Sequence, residues 1–346
     1  MWPSVSYEEV TWHLDPDERQ LIPKSARRKI APTYRAAIPA PISSASLSVP
    51  ETLSARISEL LVSLTRFDGE QGARGYDLPA LLLRSESAAS SQIERLTSSV
   101  RNVALAELTD DAPANARIVQ GNVAAMRLAL SLPPEVSKRR ICAVHEALIG
   151  PTGESFGGLI RNEQVWVGGT PYSPHGALFV PPVPSRIEAC LDDLVAFAQR
   201  DDVNAIAKAA IVHAQFETIH PFIDGNGRTG RVLLHRILSQ EDVLKWSTLP
   251  VSAGLLHDVD AYMTAIRAYQ QGDSLPIVES VVGALELALV IGRRVAVAID
   301  EVMDGWRASI VERAGSAIWQ LPQLLAEQPV VTVPFVADRL GITPRA

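Results

Sequence analysis

The sequence lacks the charge balance and the cysteines that mark two large classes of protein. Its 346 residues carry a formal net charge of −7, so no general excess of Lys and Arg is available to neutralise a nucleic-acid backbone. Only two cysteines are present, Cys142 and Cys190, and each lies inside an apolar helical stretch. We therefore interpret both as buried, reduced thiols and exclude a disulfide framework and a cysteine-based metal site.

The sequence also lacks the patterns of export and of membrane insertion. Its N-terminal part contains Glu8, Glu9, Asp15 and Asp17 where a signal peptide has a basic start and an apolar run, so no signal peptide is expected. Residues 285–302 are apolar, but five charged residues interrupt them, which indicates a buried helix. We expect a cytoplasmic protein without a membrane partner.

What the sequence does contain is the composition of a folded, mostly α-helical protein. Hydrophobic residues make up 47% and charged residues 21%, close to the average for globular proteins, and the length predicts more than one packed unit. Apolar residues recur at helical spacing through most of the chain. The predicted helices cover residues 54–64, 78–108, 113–131, 134–149, 185–200, 203–219, 232–241, 256–271 and 276–306.

The composition along the chain divides it into four regions. Residues 1–50 are rich in Pro and Ser and predict a loosely packed N-terminal arm. Residues 51–110 predict a helical N-terminal unit, and residues 111–306 predict a helical core. Residues 307–346 resemble the first helix and turn of a helix-turn-helix unit. Since the sequence stops before a recognition helix could form, we do not expect DNA binding from this chain.

One segment of the core, residues 157–182, predicts β structure. Two short β-prone runs, 164–167 and 177–180, are separated by Gly168, Gly169 and two prolines. The pattern favours a small β-hairpin with a long tip.

Twelve residues between two predicted helices gather groups that few structural needs would bring together. They read HPFIDGNGRTGR from His220 to Arg231. Free backbone N–H groups and the dipole at the start of a helix favour a bound anion. Gly225 and Gly227 would let a phosphate approach the backbone closely.

The polar side chains of this loop suit phosphate chemistry. Arg228 and Arg231 lie three residues apart on one helix face and can bind phosphate oxygens in pairs. Asp224 can hold Mg²⁺ against the same phosphates. His220 has a reference pKa of ~6.5, which suits a base that takes a proton from an attacking hydroxyl.

Residues 225–230 also satisfy the G-x-G-x-x-G pattern of dinucleotide-binding proteins. That pattern requires a strand before it and an acidic residue about 20 residues later. Here the preceding residues 203–219 predict a helix, and no strand that ends in an acid follows. We therefore reject a dinucleotide site.

The twelve residues resemble the signature of the Fic family, H-P-F-x-[DE]-G-N-G-R-x-x-R, at every defined position. Weaker similarity extends over residues 35–305. The resemblance implies a Fic-type helical core with a β-hairpin flap at residues 157–182. It also implies transfer of AMP from ATP to a Ser, Thr or Tyr hydroxyl of a target protein, or of this protein itself, with release of pyrophosphate.

The same resemblance implies a role for each residue of the loop. His220 would deprotonate the hydroxyl, and Asp224 would bind Mg²⁺. The unaltered glycine turn favours AMP transfer, because the phosphate-transferring branch of the family has a different turn. Tyr262 resembles a residue of the adenine pocket, with packing in the core as the alternative. The predicted nucleotide-binding residues are Gly225, Asn226, Gly227, Arg228, Arg231 and Tyr262.

Several residues of the predicted hairpin resemble the family's flap: Gly157 or Gly158, Arg161, Val165, Gly168 and Gly169. The exposed edge of such a flap could pair with a target peptide as an added strand. An ordinary surface hairpin explains these residues equally well.

The sequence SSQIER at residues 90–95 resembles the family's inhibitory motif, [ST]-x-x-x-E-[GN], with Arg95 in place of Gly or Asn. Ser90 and Glu94 share a helix face. The resemblance implies that Glu94 pairs with Arg231 and holds ATP in an unproductive pose. A solvated surface glutamate is the alternative.

Other functions remain compatible with the sequence. One is a Fic-fold phosphotransferase or an enzyme that removes AMP, and another is an inert regulator that acts through its C-terminal segment. The isolated residues His145, His213 and His235 predict core packing, since their spacing does not suit a zinc site. A homodimer is compatible with these patterns.

Overall fold

The structure is a computed structural model that describes residues 2–13, 22–28, 30–72, 78–109, 112–313 and 315–343. Helix dominates these residues, as predicted. Strands β1 and β2 are Ser6–Thr11 and Thr33–Ile38. The helices are α1 (Lys24–Arg27), α2 (Glu51–Gly72), α3 (Leu78–Ile93), α4 (Val100–Ala106), α5 (Ala114–Ser131), α6 (Lys138–Ile149), α7 (Pro184–Ala198), α8 (Ala205–Ile219), α9 (Asn226–Gln240), α10 (Val251–His257), α11 (Val259–Gln270), α12 (Leu275–Ser309), α13 (Leu321–Glu327) and α14 (Val333–Leu340).

The core is built around α8, a helix that is apolar on all sides. Thirteen of its fifteen residues are buried, which is typical of a helix in the protein interior. It packs against α7, α9, α11 and α12. The end of α8 and the start of α9 are therefore held firmly, and the loop of residues 220–225 between them sits on a rigid base.

The N-terminal arm differs from the prediction. The sequence predicts a loosely packed extended segment, whereas β1 and β2 form an antiparallel ribbon in which Ser6 pairs with Ile38 and Thr11 pairs with Thr33. Trp2 and Ile42, on either side of this ribbon, are buried in the main core. The prolines near residue 40 follow β2 and do not interrupt it. The prediction was wrong because the two strands pair across a long sequence separation, which a local pattern does not report.

The predicted β-hairpin at residues 157–182 is present only as two isolated antiparallel bridges, Val167 with Phe179 and Thr170 with Ser173. Gly168 and Gly169 turn the chain with φ values of 73° and 77°. A side chain at Gly169 would meet the backbone of Ala177 at 3.0 Å. These glycines let the two arms of the segment approach each other. We call residues 157–182 the flap.

The single helix predicted over residues 78–108 is broken after Ile93, where α3 ends. Arg95 has a left-handed φ of 62°, and the backbone N–H of Leu96 donates to the carbonyl of Ser91 at 3.0 Å. This is the bond pattern of a Schellman C-cap, in which Gly or Asn usually takes the left-handed position. Ser99 then caps α4 by accepting from the N–H of Asn102.

The C-terminal residues contain two short helices, α13 and α14; the resemblance of this segment to the first helix and turn of a helix-turn-helix unit stays a prediction. Thr332 caps α14 at its start, and Gly341 ends it with a φ of 63°. The division of the chain at residues 50, 110 and 306 stays a prediction.

Helix α12 is the one helix of the described residues that is long and apolar enough, by length and composition, to cross a membrane. Half of its apolar window is buried in the protein. It packs against α2, α8, α10 and α11, but Val290, Val297 and Val302 are exposed, so the helix that the sequence predicts as buried is buried along one face only.

Candidate active site

The loop between α8 and α9 turns sharply at both ends. His220 ends α8 in the left-handed conformation, with a φ of 50°, and Gly225 precedes α9 with a φ of 75°. A side chain at Gly225 would lie 2.9 Å from the Leu148 side chain. Glycine is therefore required at this position for conformation and for space.

Asn226 and Phe222 lock the loop. The side-chain amide of Asn226 donates to the carbonyl of Phe222, and its oxygen accepts from the N–H of Phe222, both at 2.9 Å. Phe222 is fully buried. The sequence predicts Asn226 as a nucleotide-binding residue, but its side chain is already engaged in the loop. Only its backbone N–H, at the start of α9, remains for an anion.

His145 packs against this loop and binds it, which the sequence did not predict. Its ring stacks on Phe222, with centroids 3.7 Å apart. The N–H of Gly158 donates to its Nδ1 at 2.9 Å, so Nε2 carries the proton and donates to the carbonyl of Asp224 at 3.0 Å. Burial lowers the pKa of His145 to about 4. This neutral ring joins the flap to the loop, whereas the sequence predicts packing alone.

His220 is a neutral base at physiological pH. Burial lowers its pKa to about 4. Its Nδ1 lies 3.3 Å from the carbonyl of Glu217. Because a carbonyl only accepts hydrogen bonds, Nδ1 carries the proton and Nε2 keeps its lone pair. The ring borders a cavity of about 790 Å³, so a free imidazole nitrogen is available there.

Arg161 joins the flap to the loop of residues 220–225. This buried side chain donates from Nε to the carbonyl of His220 at 2.8 Å and from one terminal nitrogen to the carbonyl of Pro182 at 2.7 Å. Its backbone N–H donates to the carbonyl of Pro221 at 2.9 Å. Both arms of the flap are thus fixed relative to His220.

Glu94 pairs with two arginines of the loop. Its carboxylate accepts from Arg231 at 2.8 Å, as the resemblance implies, and also from the Nε of Arg228 at 2.9 Å. Arg231 donates in addition to the hydroxyl and the carbonyl of Ser90, each at 2.8 Å. The pairing with Arg228 was not predicted. Glu94 therefore covers both guanidinium groups that the sequence assigns to phosphate.

Gly227 gives Glu94 the room for this position. A side chain at Gly227 would come within 2.5 Å of the Glu94 carboxylate. The first backbone hydrogen bond of α9 runs from the N–H of Thr229 to the carbonyl of Gly225. The preceding N–H groups of α9 therefore face the same region, where the helix dipole favours an anion.

Asp224 is the most exposed charged group of the loop. Its side chain is 65% exposed, and its carboxylate accepts from Arg228 at 3.1 Å. Among the described residues, no group of three or more His, Cys, Asp or Glu side chains forms a metal cluster. A metal at this position would have one protein carboxylate as its ligand.

Tyr262 and Glu217 lie deep in the cavity. Tyr262 is buried, and its hydroxyl lies 2.7 Å from Nε2 of His213; both predicted roles, a cavity wall and core packing, are compatible with this position. Burial raises the pKa of the Glu217 carboxyl to about 7. The sequence does not predict a role for Glu217, because a lone glutamate on a helix gives no signal by which to find it.

The cavity brings most of the predicted residues together. Of the flap residues predicted from the sequence, Gly168 borders the cavity, whereas Val165 and Gly169 do not border it. Ser90 lies behind Arg231. The predicted residues that border the cavity are Glu94, His220, Asp224, Gly225, Asn226, Gly227, Arg228, Arg231 and Tyr262.

Residues 135–238 match the sequence model of the Fic/DOC family. Over 98 residues the chain is 33% identical to a probable protein adenylyltransferase from Aquifex aeolicus, a match that covers 28% of each chain. It is 34% identical over 107 residues to the protein adenylyltransferase fic-1 from Caenorhabditis elegans, which covers 30% of this chain and 19% of that protein. The chain thus spans less than a third of the length of these relatives.

Solved structures resemble a larger part of the chain. A Fic family protein from Desulfovibrio desulfuricans superposes with a TM-score of 0.61 at 21% identity, over 86% of both chains. Residues 134–508 of Fic-1 from C. elegans superpose with a TM-score of 0.54 at 22% identity, over 72% of this chain and 75% of that one. These similarities concern the fold.

Proposed function

Because residues 135–238 form a Fic/DOC domain, we propose that this protein is an adenylyltransferase that moves AMP from ATP to a Ser, Thr or Tyr hydroxyl of a protein. One observation carries the proposal. A neutral imidazole, the start of a helix and two buried arginines border one cavity of about 790 Å³. Residues 135–238, which match the Fic/DOC model, supply all of these groups, and similar proteins are named as adenylyltransferases.

The chemistry requires a base and a site for a developing negative charge. The acceptor hydroxyl oxygen attacks the α-phosphorus of ATP, and its proton passes to Nε2 of His220. The bond from that phosphorus to the bridging oxygen breaks, and pyrophosphate leaves. His220 is suited to this step because its Nδ1 proton is held by a carbonyl, which leaves Nε2 as the acceptor.

The phosphates would lie at the start of α9. The backbone N–H groups of Asn226, Gly227 and Arg228 would stabilise the charge on the α-phosphate. Arg228 and Arg231 would bind the outer phosphates through charge-assisted hydrogen bonds. Positioning and charge neutralisation then supply most of the catalysis, since the protein forms no covalent bond to the nucleotide.

Mg²⁺ fits the exposed carboxylate of Asp224. Magnesium in nucleotide sites is commonly held by one or two carboxylates together with phosphate oxygens and water, so a single aspartate is sufficient. The ion would neutralise phosphate charge when it is bound. The carboxylate also lies beside Arg228, at the proposed phosphate site.

Glu94 would act as a brake. The carboxylate accepts from Arg228 and Arg231 at 2.9 and 2.8 Å, so the outer phosphates of ATP would compete with it for both guanidinium groups. With Glu94 in place we expect low activity. This double pairing supports a stronger brake than the contact with Arg231 alone that the sequence implies.

The acceptor would lie against the flap. Val167 and Leu178 of the flap are 38% and 74% exposed and border the cavity, so an extended peptide could pair with the flap and present its hydroxyl to His220. The acceptor is another protein or a second copy of this one. The location of the enzyme itself in the cytoplasm stays a prediction.

The test is incubation with α-labelled ATP and Mg²⁺, followed by mass spectrometry of labelled protein. We expect the Glu94→Gly variant to transfer AMP faster than wild type, and the His220→Ala variant to transfer none in either background. A mass gain of phosphate would assign a phosphotransferase instead. If protein incubated with the Glu94→Gly variant gains no mass although the variant binds ATP normally, the result would favour an inert regulator.

A further inference from the structure

We propose that the N-terminal ribbon of β1 and β2 is a positioning element that holds the flap in place for the acceptor. The proposal rests on the proposed function, because it concerns the protein substrate of that reaction. The ribbon lies outside residues 135–238, which match the family model. Three sets of contacts carry the proposal: hydrogen bonds to the backbone of the flap, an aromatic cluster, and an attachment to α11, which also lines the cavity.

The first set joins β2 to the returning arm of the flap. The N–H of Ala37 donates to the carbonyl of Val180 at 2.9 Å. The ring of His175 donates from Nε2 to the carbonyl of Thr33 at 2.9 Å. Since β2 occupies the side of the returning arm, the outgoing arm around Val165–Gly169 is the edge that stays open for an acceptor.

The second set is an aromatic cluster centred on Trp12, which directly follows β1. Its ring meets those of Tyr34, Trp166 and His175 edge to face, with centroids 5.8, 5.9 and 6.3 Å apart. Trp166 belongs to the outgoing arm and donates from its indole N–H to the carbonyl of Thr170 at 2.8 Å. Trp12 therefore contacts both arms of the flap at once.

The third set of contacts attaches the start of the ribbon to α11. The N–H of Val5 donates to the carbonyl of Gln270 at 2.8 Å, and Gln270 borders the cavity at the end of α11. Trp2 packs on Tyr269 of the same helix, with centroids 5.9 Å apart. The ribbon thus connects the flap to α11, which also lines the cavity.

The flap needs such support because its own hydrogen bonding is sparse. It contains two isolated bridges and no continuous ladder, and an isolated two-stranded hairpin is at best marginally stable in water. Arg161 and His145 fix only its base. The ribbon supplies the neighbouring strand and the apolar packing that the tip lacks, and so it sets where an acceptor backbone would pair.

The central test is the Trp12→Ala substitution in the Glu94→Gly background. Amide hydrogen exchange of residues 164–180 reports the order of the flap without any need for activity. We expect it to accelerate about tenfold, because local opening becomes easier once the cluster is lost. The matched control is Tyr7→Ala, whose exposed ring packs on Arg35 of the same ribbon and should leave the exchange unchanged.

Two further measurements separate positioning from general damage. ATP affinity by calorimetry should stay within about twofold, because Trp12 contacts no residue of the phosphate site, while labelling of the protein by α-labelled ATP should fall about tenfold. An Ala37→Pro variant, which removes the N–H that binds Val180, should give the same two results. Agreement of these variants excludes a defect peculiar to one side chain.

The outcomes are decisive in each direction. Unchanged exchange in both variants would overturn the proposal, and so would faster exchange with full labelling. A loss of ATP affinity equal to the loss of labelling would also overturn it, by showing a defect that is not specific to the acceptor. If the parent Glu94→Gly variant itself transfers no AMP, the proposed function fails, and the exchange data still decide whether the ribbon orders the flap.

Discussion

Two arginine–carboxylate clusters hold α3, one at its middle and one just beyond its C-terminal end, and they differ in what surrounds them. At the middle of the helix, Arg84 donates to both oxygens of Glu107 at 3.0 and 3.1 Å. It also donates to the carbonyl of Glu327 and to the side chain of Gln328, each at 2.6 Å. We call this group the tail cluster, because Glu327 and Gln328 belong to the C-terminal segment.

Just beyond the end of the helix, Glu94 binds Arg228 and Arg231 in what we call the catalytic cluster. Glu107, the carboxylate of the tail cluster, is 11% exposed and borders a second cavity, whereas Glu94 is 26% exposed and borders the cavity that His220 lines. Under the proposed function, phosphate oxygens would reach the catalytic cluster and replace its carboxylate. We therefore expect similar ion pairs to be permanent structure at the middle of this helix and an exchangeable contact beyond its end, where the ligand would bind.

The largest expected effect is on stability, at the tail cluster. Arg84→Met would leave the part-buried Glu107 with only the half-exposed Arg127 as its partner, and it would remove the donor to the carbonyl of Glu327 and to the side chain of Gln328. We expect the free energy of unfolding in urea to fall by about 3–5 kcal/mol, since several hydrogen bonds to a charged group are lost and each contributes about 1.5–3 kcal/mol. Arg56→Met is the matched control: its pair with Glu286 is exposed on both sides, and its loss should cost about 0–1 kcal/mol. Equal costs would remove the distinction.

The next largest effect is on nucleotide binding, at the catalytic cluster. Glu94→Gln replaces a carboxylate that competes with phosphate by a neutral amide of the same size. We expect calorimetry to give a 30- to 100-fold higher affinity for ATP, or about 2–2.7 kcal/mol. Glu107→Gln makes the same chemical change in the tail cluster and should leave the affinity for ATP unaltered. A gain in both variants, or in neither, contradicts exchange at the catalytic cluster.

Acid should loosen the surroundings of the catalytic cluster. Burial lowers the pKa of His145 from 6.5 to about 4, so the folded protein binds this proton less readily than the unfolded chain. The stability that the neutral ring contributes is complete above about pH 6.5 and is lost as the pH falls toward 4. His220 acts in the same direction. Glu217, with its pKa raised to about 7, acts in the opposite direction.

The His145→Gln variant isolates this effect. Between pH 7 and pH 5 wild type should lose about 2 kcal/mol of unfolding free energy through His145 alone. The variant cannot titrate at this position. Its loss of unfolding free energy between pH 7 and pH 5 should therefore be about 2 kcal/mol smaller than that of wild type. Urea unfolding at the two pH values measures the difference, and an equally steep loss in the variant would show that another group is responsible.

The sequence predicts the catalytic cluster far better than the surroundings that make it work. The loop of residues 220–231 is contiguous, so its chemistry can be recognised locally, and the pairing of Glu94 with Arg231 followed from a motif. The roles of His145 and Arg161 could not be predicted, because each depends on contacts with residues about 60 to 80 positions away. The ribbon was missed for the same reason, since strand pairing across the sequence leaves no local pattern.

The smallest effect concerns the turn that presents Glu94. Arg95 takes the left-handed position of the helix C-cap, with a φ of 62°, where a residue with a side chain pays roughly 1–2 kcal/mol of strain. Arg95→Gly relieves that strain but makes the unfolded chain more flexible, which offsets part of the gain. We expect a net increase of about 0.5–1 kcal/mol in unfolding free energy.

The same substitution tests how firmly the brake is held. Arg95 is exposed and does not line the cavity, so a relaxed turn should hold Glu94 against Arg228 and Arg231 at least as firmly, and self-labelling by ATP should stay equal or fall slightly. Arg95→Ala is the control, because it keeps the strained backbone and removes only the side chain. If Arg95→Gly is less stable than Arg95→Ala, strain at this turn is not what the arginine imposes.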